Sequence, residues 1–401
     1  MAHGSNKLRI LKVIQFYFPF QETGGPIFKV RALARNLVGL GHQVTILTAD
    51  LGLKANHFIP GPYKTCEWGF RSDDDGVETI YLSTAARYRA LTLNPAVRRY
   101  AERAMDNFDV VHFYGVYDLF GPVISAVCRK RQIPYIVEPL GMYRPIDRGF
   151  ALKRAWHYAF GKKYLRKAAR VVTTSNVEFQ ELFDSGFPRN RLTIRYNGID
   201  SETFTKKPTR GTFRAKWNIT ADEPLVLFLS RLIPRKNADL LIRAFAQVLP
   251  PVGRLVIAGP EGKRGYSNEL RRLASACGIE SRLILAGPLY DEAKVEAMVD
   301  ADIFVLASRY ENFGNAPAEA LACGVPVIVS ESCGISALIA GKAGIVVEPK
   351  LEPLAEALFK LLSNRPLYES FVVGCRTVAD QLRWDVLTRQ MEEIYASALR
   401  G

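Results

Sequence analysis

The stretch Glu311-Asn-Phe-Gly-Asn-Ala-Pro-Ala-Glu319 decides the fold and carries two acids eight residues apart. It follows directly on an apolar, strand-like run, and Pro317 suits the first turn of a helix. Beyond Glu319 the chain continues as a short helical pattern, a glycine stop and an apolar run that ends at Ser330. A strand, a loop, a short helix and another buried strand in this order indicate an open parallel sheet.

The helix start predicted at Phe313, Gly314 and Asn315 is a candidate anion site. A helix start offers unpaired backbone N–H groups and the positive end of the helix dipole, and both favour a diphosphate. Glu311 before the turn and Glu319 inside the helix can accept hydrogen bonds from hydroxyl groups on either side of that anion. The alternative is that both acids are solvated surface residues.

The same segment resembles the E-x7-E segment of retaining glycosyltransferases of family four, which transfer sugars from nucleotide diphosphate donors. The resemblance covers nearly the whole chain. It implies the GT-B architecture, in which two Rossmann-like α/β domains with parallel sheets face each other across a cleft. It further implies that Glu311 holds the transferred sugar and that Glu319 holds the ribose hydroxyls.

Short apolar runs that alternate with amphipathic helical patterns support this fold class independently. Candidate strands include Leu8–Gln15 in the first half, and Leu225–Ser230 and Ile303–Ala307 in the second. Such alternation predicts parallel sheets that are covered by helices on both faces.

A domain boundary is predicted near Asn197-Gly-Ile-Asp200, which a polar stretch follows. Residues 1–200 then form an N-terminal domain and residues 201–383 a C-terminal domain, and the resemblance implies that the first binds the acceptor and the second the nucleotide-sugar donor. The closing segment, with Trp384 and Tyr395, resembles that of the family. In the family the last helix, here residues 384–401, crosses back to the N-terminal domain.

A second candidate anion-binding group lies in Ser230-Arg231-Leu-Ile-Pro-Arg235-Lys236-Asn237. Arg231 and Lys236 at the carboxyl end of a strand can converge on one diphosphate, the first by a planar fork and the second as a point charge. They match the family's phosphate-binding Arg and Lys, while Asn237 replaces the usual Gly. The alternative is a salt-bridged surface pair, and Arg235 is expected on the surface.

Two loops match ligand-binding loops of the family: the first contacts the donor diphosphate or the acceptor there, and the second borders the nucleotide base. Gly24 and Gly25 follow the first strand and open a helix, so backbone can approach a phosphate closely there. Gly-Gly-Pro alone is a weak motif, but its place matches the family's glycine loop. Leu289 lies in the turn that in the family borders the nucleotide base.

His112 and Tyr114 are the candidate catalytic residues of the first half, in Asp109-Val-Val-His-Phe-Tyr-Gly. The stretch resembles the family's H-x-H pattern, with Tyr114 in place of the second His. A tyrosine donates a hydrogen bond to a sugar hydroxyl but is not a cation at neutral pH. The alternative for His112 is a hydrogen-bonded histidine of the core.

Composition excludes several other classes of protein. The 401 residues, 48% of them hydrophobic, suffice for two domains, and no apolar run reaches the ~18–20 residues of a membrane-spanning helix. Six scattered cysteines without a C-x-x-C pair indicate free thiols in a reducing compartment. The run Asp73-Asp74-Asp75 looks like a metal ligand set, but a solvated turn is the preferred interpretation. No metal and no nucleic acid partner are expected.

The net charge of +14 is concentrated in the first half of the chain. Residues 1–200 hold 29 Lys and Arg against 17 Asp and Glu, a balance of +12, and residues 201–401 hold 25 against 23, a balance of +2. Residues 153–170 contain seven basic residues, several aromatic residues and no acid. This composition suits contact with an anionic membrane surface. It suits equally an ordinary amphipathic helix whose aromatic residues enter the core and whose basic residues are exposed to solvent.

The sequence therefore predicts a cytoplasmic, retaining, metal-independent glycosyltransferase, with peripheral contact to the cytoplasmic membrane face as a further hypothesis. It moves a hexose or related sugar from a GDP- or UDP-sugar to a glycan or a lipid-linked saccharide, as in polysaccharide biosynthesis. Two alternatives stay open. One is a nucleotide-sugar epimerase of the same fold, and the other is a non-catalytic protein that binds sugar nucleotides.

Overall fold

The computed structural model describes residues 7–20, 25–51, 61–88, 91–144, 154–200, 207–248 and 253–400. The chain divides into two compact units. Unit 1 comprises Met1–Tyr196 together with Trp384–Gly401, and unit 2 comprises Asn197–Arg383. Each unit contains its own largely parallel sheet, so the protein belongs to the α/β class.

Unit 1 is built on a nine-stranded sheet with the strand order β11-β10-β9-β8-β1-β2-β5-β4-β3. All neighbours from β11 to β5 are parallel, and β4 and β3 extend the sheet as an antiparallel edge. A separate hairpin pairs β6 with β7. The strands are β1 (Arg9–Ile14), β2 (Gln43–Ala49), β3 (Tyr63–Cys66), β4 (Gly69–Asp74), β5 (Val77–Leu82), β6 (Ala86–Tyr88), β7 (Leu91–Leu93), β8 (Val110–Tyr114), β9 (Tyr135–Glu138), β10 (Arg170–Thr173) and β11 (Leu192–Ile194).

Helices cover both faces of this sheet, so the central strands β1 and β8 are buried almost throughout. Two hydrophobic clusters result, one on each face. The first contains Leu11, Phe113 and Val137, and the second contains Ile10, Tyr114 and Ile136, as expected for side chains that alternate along a strand. The helices are α1 (Pro26–Gly39), α2 (Ala96–Ala104), α3 (Phe120–Lys130), α4 (Lys162–Arg166) and α5 (Asn176–Asp184).

Unit 2 is built on a six-stranded, wholly parallel sheet with the order β14-β13-β12-β15-β16-β17. Its strands are β12 (Leu225–Leu229), β13 (Arg254–Ala258), β14 (Leu283–Gly287), β15 (Ile303–Leu306), β16 (Val327–Ser330) and β17 (Gly344–Val347). Its helices are α6 (Thr212–Lys216), α7 (Ala238–Ala246), α8 (Tyr266–Ala276), α9 (Asp291–Asp300), α10 (Asn315–Ala322), α11 (Ser336–Ile339), α12 (Leu351–Ser363) and α13 (Arg365–Gln381).

The last helix, α14 (Trp384–Leu399), belongs to unit 1. It packs Leu387, Met391 and Tyr395 into the second hydrophobic cluster of that unit. His42 Nε2 lies 2.8 Å from a carboxylate oxygen of Glu392 and adds a polar contact. The C-terminal segment is therefore part of the core of the first unit. Within the described residues, no helix is long and apolar enough to span a membrane.

The prediction for the acidic run is wrong at Asp74. Strand β4 includes Asp73 and Asp74, and only Asp75 and Gly76 form the turn to β5. Asp74 is buried because Arg31 and Arg35 of α1 neutralise it: Arg31 donates from Nε at 2.6 Å and from Nη2 at 3.0 Å, and Arg35 donates at 2.9 Å. In the described part of the chain, no group of three or more His, Cys, Asp or Glu could hold a metal ion.

Replacing Asp74 by Asn is expected to lower the free energy of unfolding by about 1.5–3 kcal/mol at pH 7, the usual worth of hydrogen bonds to a charged group. Burial opposes ionisation of Asp74, but Arg31 and Arg35 outweigh it and hold its pKa below the ordinary value. This stability is present above the unfolded pKa of about 3.9 and is lost as the pH falls through the lower folded pKa. Urea unfolding of both proteins between pH 7 and pH 3 measures the difference.

Asp75→Asn is the matched control, because Asp75 is the exposed neighbour of the same turn and pairs with Arg35. An exposed ion pair contributes about 0–1 kcal/mol, so this variant is expected to unfold almost as the unchanged protein does. Equal losses in the two variants, or a loss at Asp74 that does not shrink in acid, would contradict the explanation.

Candidate active site

The candidate site of unit 2 lies at the carboxyl edge of its sheet, between β12 and β15. From β12 the chain goes outward first through β13 and β14, and then crosses to β15, β16 and β17 on the other side. The connections that follow β12 and β15 therefore lead to opposite sides of the sheet, and a crevice lies where the two loops begin side by side. Open α/β sheets bind ligands at such a switch point.

The segment after β12 carries Arg231 and Lys236 in different environments. Arg231 is exposed, and its guanidinium has no ion-pair or hydrogen-bond partner among the described residues. Lys236 ends the short 3-10 turn Pro234–Lys236 and is buried. Arg235, predicted on the surface, is half-buried. The loop thus offers one free cation and one enclosed cation.

The backbone conformation of Asn237 restricts the residue types that can follow Lys236. Its φ of 57° lies in the left-handed region, where Gly is favoured and Asn is the best tolerated alternative. Its side-chain amide donates to the carbonyl of Ala307 at 2.8 Å, and its Oδ1 accepts from Arg309 Nε at 3.1 Å. Asn237 therefore ties the loop after β12 to the loop after β15.

Lys236 Nζ forms an ion pair with Oε2 of Glu311, although 75 positions separate the two residues along the chain. The backbone of Glu311 is fixed by two hydrogen bonds, from its N–H to the carbonyl of Ser332 at 3.0 Å and from the N–H of Gly334 to its carbonyl at 2.9 Å. The pair is largely enclosed, with Lys236 9% and Glu311 21% exposed. The structure thus brings together Lys236, which is predicted to bind phosphate, and Glu311, which is predicted to bind the transferred sugar.

Helix α10 begins beside this pair, as the sequence predicts. Gly314 precedes the helix with φ 104°, and a Cβ there would lie 2.8 Å from Sγ of Cys333, so the position requires glycine. Phe313 is buried and anchors the turn, with its carbonyl accepting from the N–H of Ile335 at 2.7 Å. No described side chain caps the helix, so its first N–H groups stay open to an anion.

Glu319 lies in the middle of α10, where Lys294 Nζ donates to its Oε1 at 2.9 Å. Lys294 belongs to the first turn of α9, and the predicted base-binding residue Leu289 lies half-buried in the loop just before that helix. The sequence reasoning missed Lys294. A cation in the first turn of a helix opposes the helix dipole, and this feature of the sequence is the signal that was available.

The predicted residues of unit 1 lie at two places. Gly25 is exposed and precedes α1, while Gly24 lies outside the described residues. His112 and Tyr114 lie on β8, the neighbour of β1 at the point where the strand order of that sheet reverses. Both side chains are buried, so neither reaches the surface of the unit. The catalytic role given to them stays a prediction.

A hydrogen-bonded cluster surrounds His112. Its Nδ1 lies 2.9 Å from the hydroxyl of Tyr395 and 3.1 Å from that of Tyr114, and Lys12 Nζ donates to Tyr114 at 2.8 Å. Burial, with the charges of Lys12 and Arg195, holds the pKa of His112 well below its ordinary value. The imidazole is therefore neutral, and it links β8 to the C-terminal helix.

The same cluster extends to Glu138 at the end of β9. Its carboxylate pairs with Lys29 and accepts from Arg195 Nη2 at 3.1 and 3.2 Å, and all three side chains are buried. Burial lowers the pKa of Lys29 to about 8, although Glu138 opposes that shift. Glu138 thus offsets part of the positive charge of Lys29 and Arg195, and it links the end of β9 to α1 and to the segment after β11.

Two family models match the chain, and together they cover most of it. The model "Glycosyl transferase 4-like domain" matches residues 24–198, and "Glycosyl transferases group 1" matches residues 209–374. A D-inositol 3-phosphate glycosyltransferase of Xylanimonas cellulosilytica is 25% identical, over 94% of this chain and 93% of the relative. An uncharacterized glycosyltransferase of Methanocaldococcus jannaschii is also 25% identical, over 97% of this chain and 98% of the relative.

Solved structures show the same fold. A glycosyltransferase from Rickettsia africae has a TM-score of 0.75 at 20% identity and covers 99% of this chain and 100% of that one. Sucrose-phosphate synthase from Thermosynechococcus elongatus has a TM-score of 0.73 at 21% identity, with 98% and 100% covered. The protein is thus a glycosyltransferase with the GT-B fold, which confirms the predicted fold class. The two family models and these relatives support a glycosyltransferase of the family-four type.

A pair of substitutions tests the role of Asn237. Asn237→Gly keeps the left-handed backbone and removes the side-chain hydrogen bonds, so we expect a loss of about 1 kcal/mol in the free energy of unfolding. Asn237→Ala removes the same bonds and keeps the Cβ without the polar group that makes φ 57° tolerable, so we expect a loss about 1 kcal/mol larger than that of the glycine variant. Denaturant unfolding gives the free energies of unfolding of the unchanged protein and both variants. An Asn237→Ala variant as stable as Asn237→Gly, or more stable, would contradict the backbone argument.

Proposed function

We propose that the protein transfers a sugar from a nucleoside diphosphate sugar, with retention of configuration and without a metal ion. The observation that carries this proposal is the meeting of Lys236, Glu311 and the open start of α10 at one switch point of unit 2, with Arg231 exposed on the adjoining loop. Two cations and a helix start can bind one diphosphate.

The chemistry follows from where charge develops. As the bond between the sugar and the diphosphate breaks, negative charge grows on the leaving phosphate. Once the donor is bound, Arg231, Lys236 and the N–H groups at the start of α10 stabilise that charge from fixed positions, which is usually the largest single contribution to enzyme catalysis. These groups supply the positive charge that a bound metal ion provides in other enzymes that act on diphosphates. The acceptor hydroxyl attacks the face from which the phosphate leaves, and no residue serves as a covalent nucleophile.

Glu311 takes two partners in turn. Without donor it neutralises Lys236. When a diphosphate attracts the ammonium group of Lys236, the carboxylate of Glu311 becomes available to hydroxyls of the transferred sugar. Glu319 takes the ribose diol, and the backbone around Leu289 borders the base. In unit 1, Gly24 and Gly25 are proposed to contact a ligand through their backbone, and His112 and Tyr114 are the proposed catalytic residues.

The donor proposed is a UDP- or GDP-sugar, and the acceptor is a glycan or a lipid-linked saccharide that unit 1 binds. One structural neighbour, the Anabaena HepE protein, is known in complex with UDP and glucose, which supports a UDP-sugar as the first donor to test. Several relatives carry the name D-inositol 3-phosphate glycosyltransferase, so inositol phosphate belongs in the acceptor panel.

Replacing Lys236 by Ala is expected to lower kcat for sugar transfer by about 10²–10³, the loss typical when one charge-stabilising group is removed. Arg231→Ala is expected to weaken binding of the nucleoside diphosphate and also to slow transfer. Release of nucleoside diphosphate from a panel of nucleotide sugars, with and without EDTA, measures both. EDTA is expected to leave the rate unchanged.

Arg243→Ala is the control, because Arg243 is an exposed arginine of the neighbouring helix α7. Three outcomes would overturn the proposal. Release of an isomerised sugar indicates the epimerase, and tight nucleotide binding without turnover indicates the non-catalytic protein. Normal turnover by the Lys236 variant shows that the diphosphate lies elsewhere.

A basic, aromatic surface of unit 1 supports a further proposal, that the enzyme works at an anionic membrane face. Tyr158 is 88% and Phe160 46% exposed, and Lys163, Arg166 and Lys167 beside them are also exposed. Exposed aromatic rings that adjoin several cations suit the boundary between lipid headgroups and acyl chains. A lipid-linked acceptor is presented at the same surface.

Replacing Lys163, Arg166 and Lys167 together by Ala is expected to reduce binding to anionic lipid vesicles by at least about tenfold, since each basic residue near such a surface contributes about 1 kcal/mol. Co-sedimentation at physiological ionic strength measures it. The matched control replaces Arg98, Arg99 and Arg103 of α2, three exposed residues with the same total charge. Equal effects of the two triple variants would exclude a specific membrane face.

A further inference from the structure

Both acids of the candidate site are held by a lysine from another element. Lys236 holds one oxygen of Glu311, and Lys294 Nζ holds Oε1 of Glu319 at 2.9 Å. In the described chain no partner is found for the second oxygen of either carboxylate. Each acid thus has one oxygen fixed by the protein and one oxygen left for a ligand.

Neither helix stability nor pairing energy accounts for Lys294. It lies in the first turn of α9, where the helix dipole disfavours a cation and where Asp291 and Glu292 already supply favourable acids. The pair with Glu319 is about a quarter exposed on both sides. Ion pairs with this much contact to water contribute little to stability. The position of Lys294 is better explained by what it does to Glu319.

The ion pair restricts a side chain that would otherwise rotate freely. A glutamate has three rotatable bonds, and fixing it for a ligand costs conformational entropy unless the protein has fixed it beforehand. Helices α9 and α10 precede and follow the same strand, β15, so a contact between them sets the direction of the carboxylate. Oε2 then points to one place, as recognition of a vicinal diol requires.

We propose that Lys294 is a positioning residue for ribose recognition: it aligns Glu319 so that the free carboxylate oxygen accepts hydrogen bonds from the ribose hydroxyls of the donor. The inference deepens the proposed function and rests on it. Lys294 acts through Glu319 and contacts neither the diphosphate nor the transferred sugar. Its removal therefore weakens binding of a ribonucleotide and leaves that of a nucleotide without ribose hydroxyls unchanged.

The test compares ribonucleoside diphosphates with their 2′,3′-dideoxy forms by calorimetric titration. ADP, GDP and UDP are titrated first into the unchanged protein, and the best ligand is used afterwards. Lys294→Met is expected to bind the ribo form about tenfold more weakly, the worth of one hydrogen bond, and the dideoxy form within about twofold of the unchanged protein. Glu319→Gln is expected to reduce the preference for the ribo form over the dideoxy form at least as much. The double variant with Glu319→Gln and Lys294→Met is expected to bind both forms as Glu319→Gln alone does.

Lys216→Met is the matched control, because Lys216 pairs with Glu296 of the same helix α9 at 2.7 Å. It is expected to leave both affinities unchanged. Equal weakening of ribo and dideoxy forms by Lys294→Met, or no weakening of either, would overturn the inference, as would additive effects in the double variant. If the unchanged protein binds no nucleoside diphosphate, the proposed function fails first, and this inference fails with it.

Discussion

The parallel pairing of β12 with β15 is the constraint on which the site of unit 2 depends. Val226 pairs with Ile303 and Leu227 with Phe304, so the two strands end at the same edge of the sheet. The loops after them therefore begin side by side, although β13, β14 and the helices α7, α8 and α9 lie between the two strands in sequence. Lys236 meets Glu311 because of this pairing. The start of α10 lies beside them for the same reason.

In the proposed function, charge balance at this edge lets the same residues serve a state without donor and a state with donor. An enclosed lysine without a partner is costly, and the carboxylate of Glu311 removes that cost in the absence of donor. A diphosphate carries more negative charge than one carboxylate, so it competes well for the ammonium group. Glu311 then has hydrogen-bonding capacity to give to a sugar. The ion pair is thus a resting arrangement of the binding site.

The local parts of this account could be predicted from the sequence. The start of α10, the glycine before it and the alternation of strands and helices all depend on residue types that are close together in the chain. The burial of Asp74 could not be predicted, because it depends on arginines of α1 that only the sheet brings near. The same holds for Lys294, whose partner lies on another helix. The enclosure of His112 requires the C-terminal helix, whose Tyr395 lies 283 residues further along the chain.

The most direct measurement of the central claim is a crystal structure of the protein with a nucleoside diphosphate bound. The account predicts phosphate oxygens within hydrogen-bonding distance of Arg231, Lys236 and the first N–H groups of α10, with the ion pair between Lys236 and Glu311 opened. A diphosphate bound at any other edge of either sheet, with that ion pair intact, would contradict it.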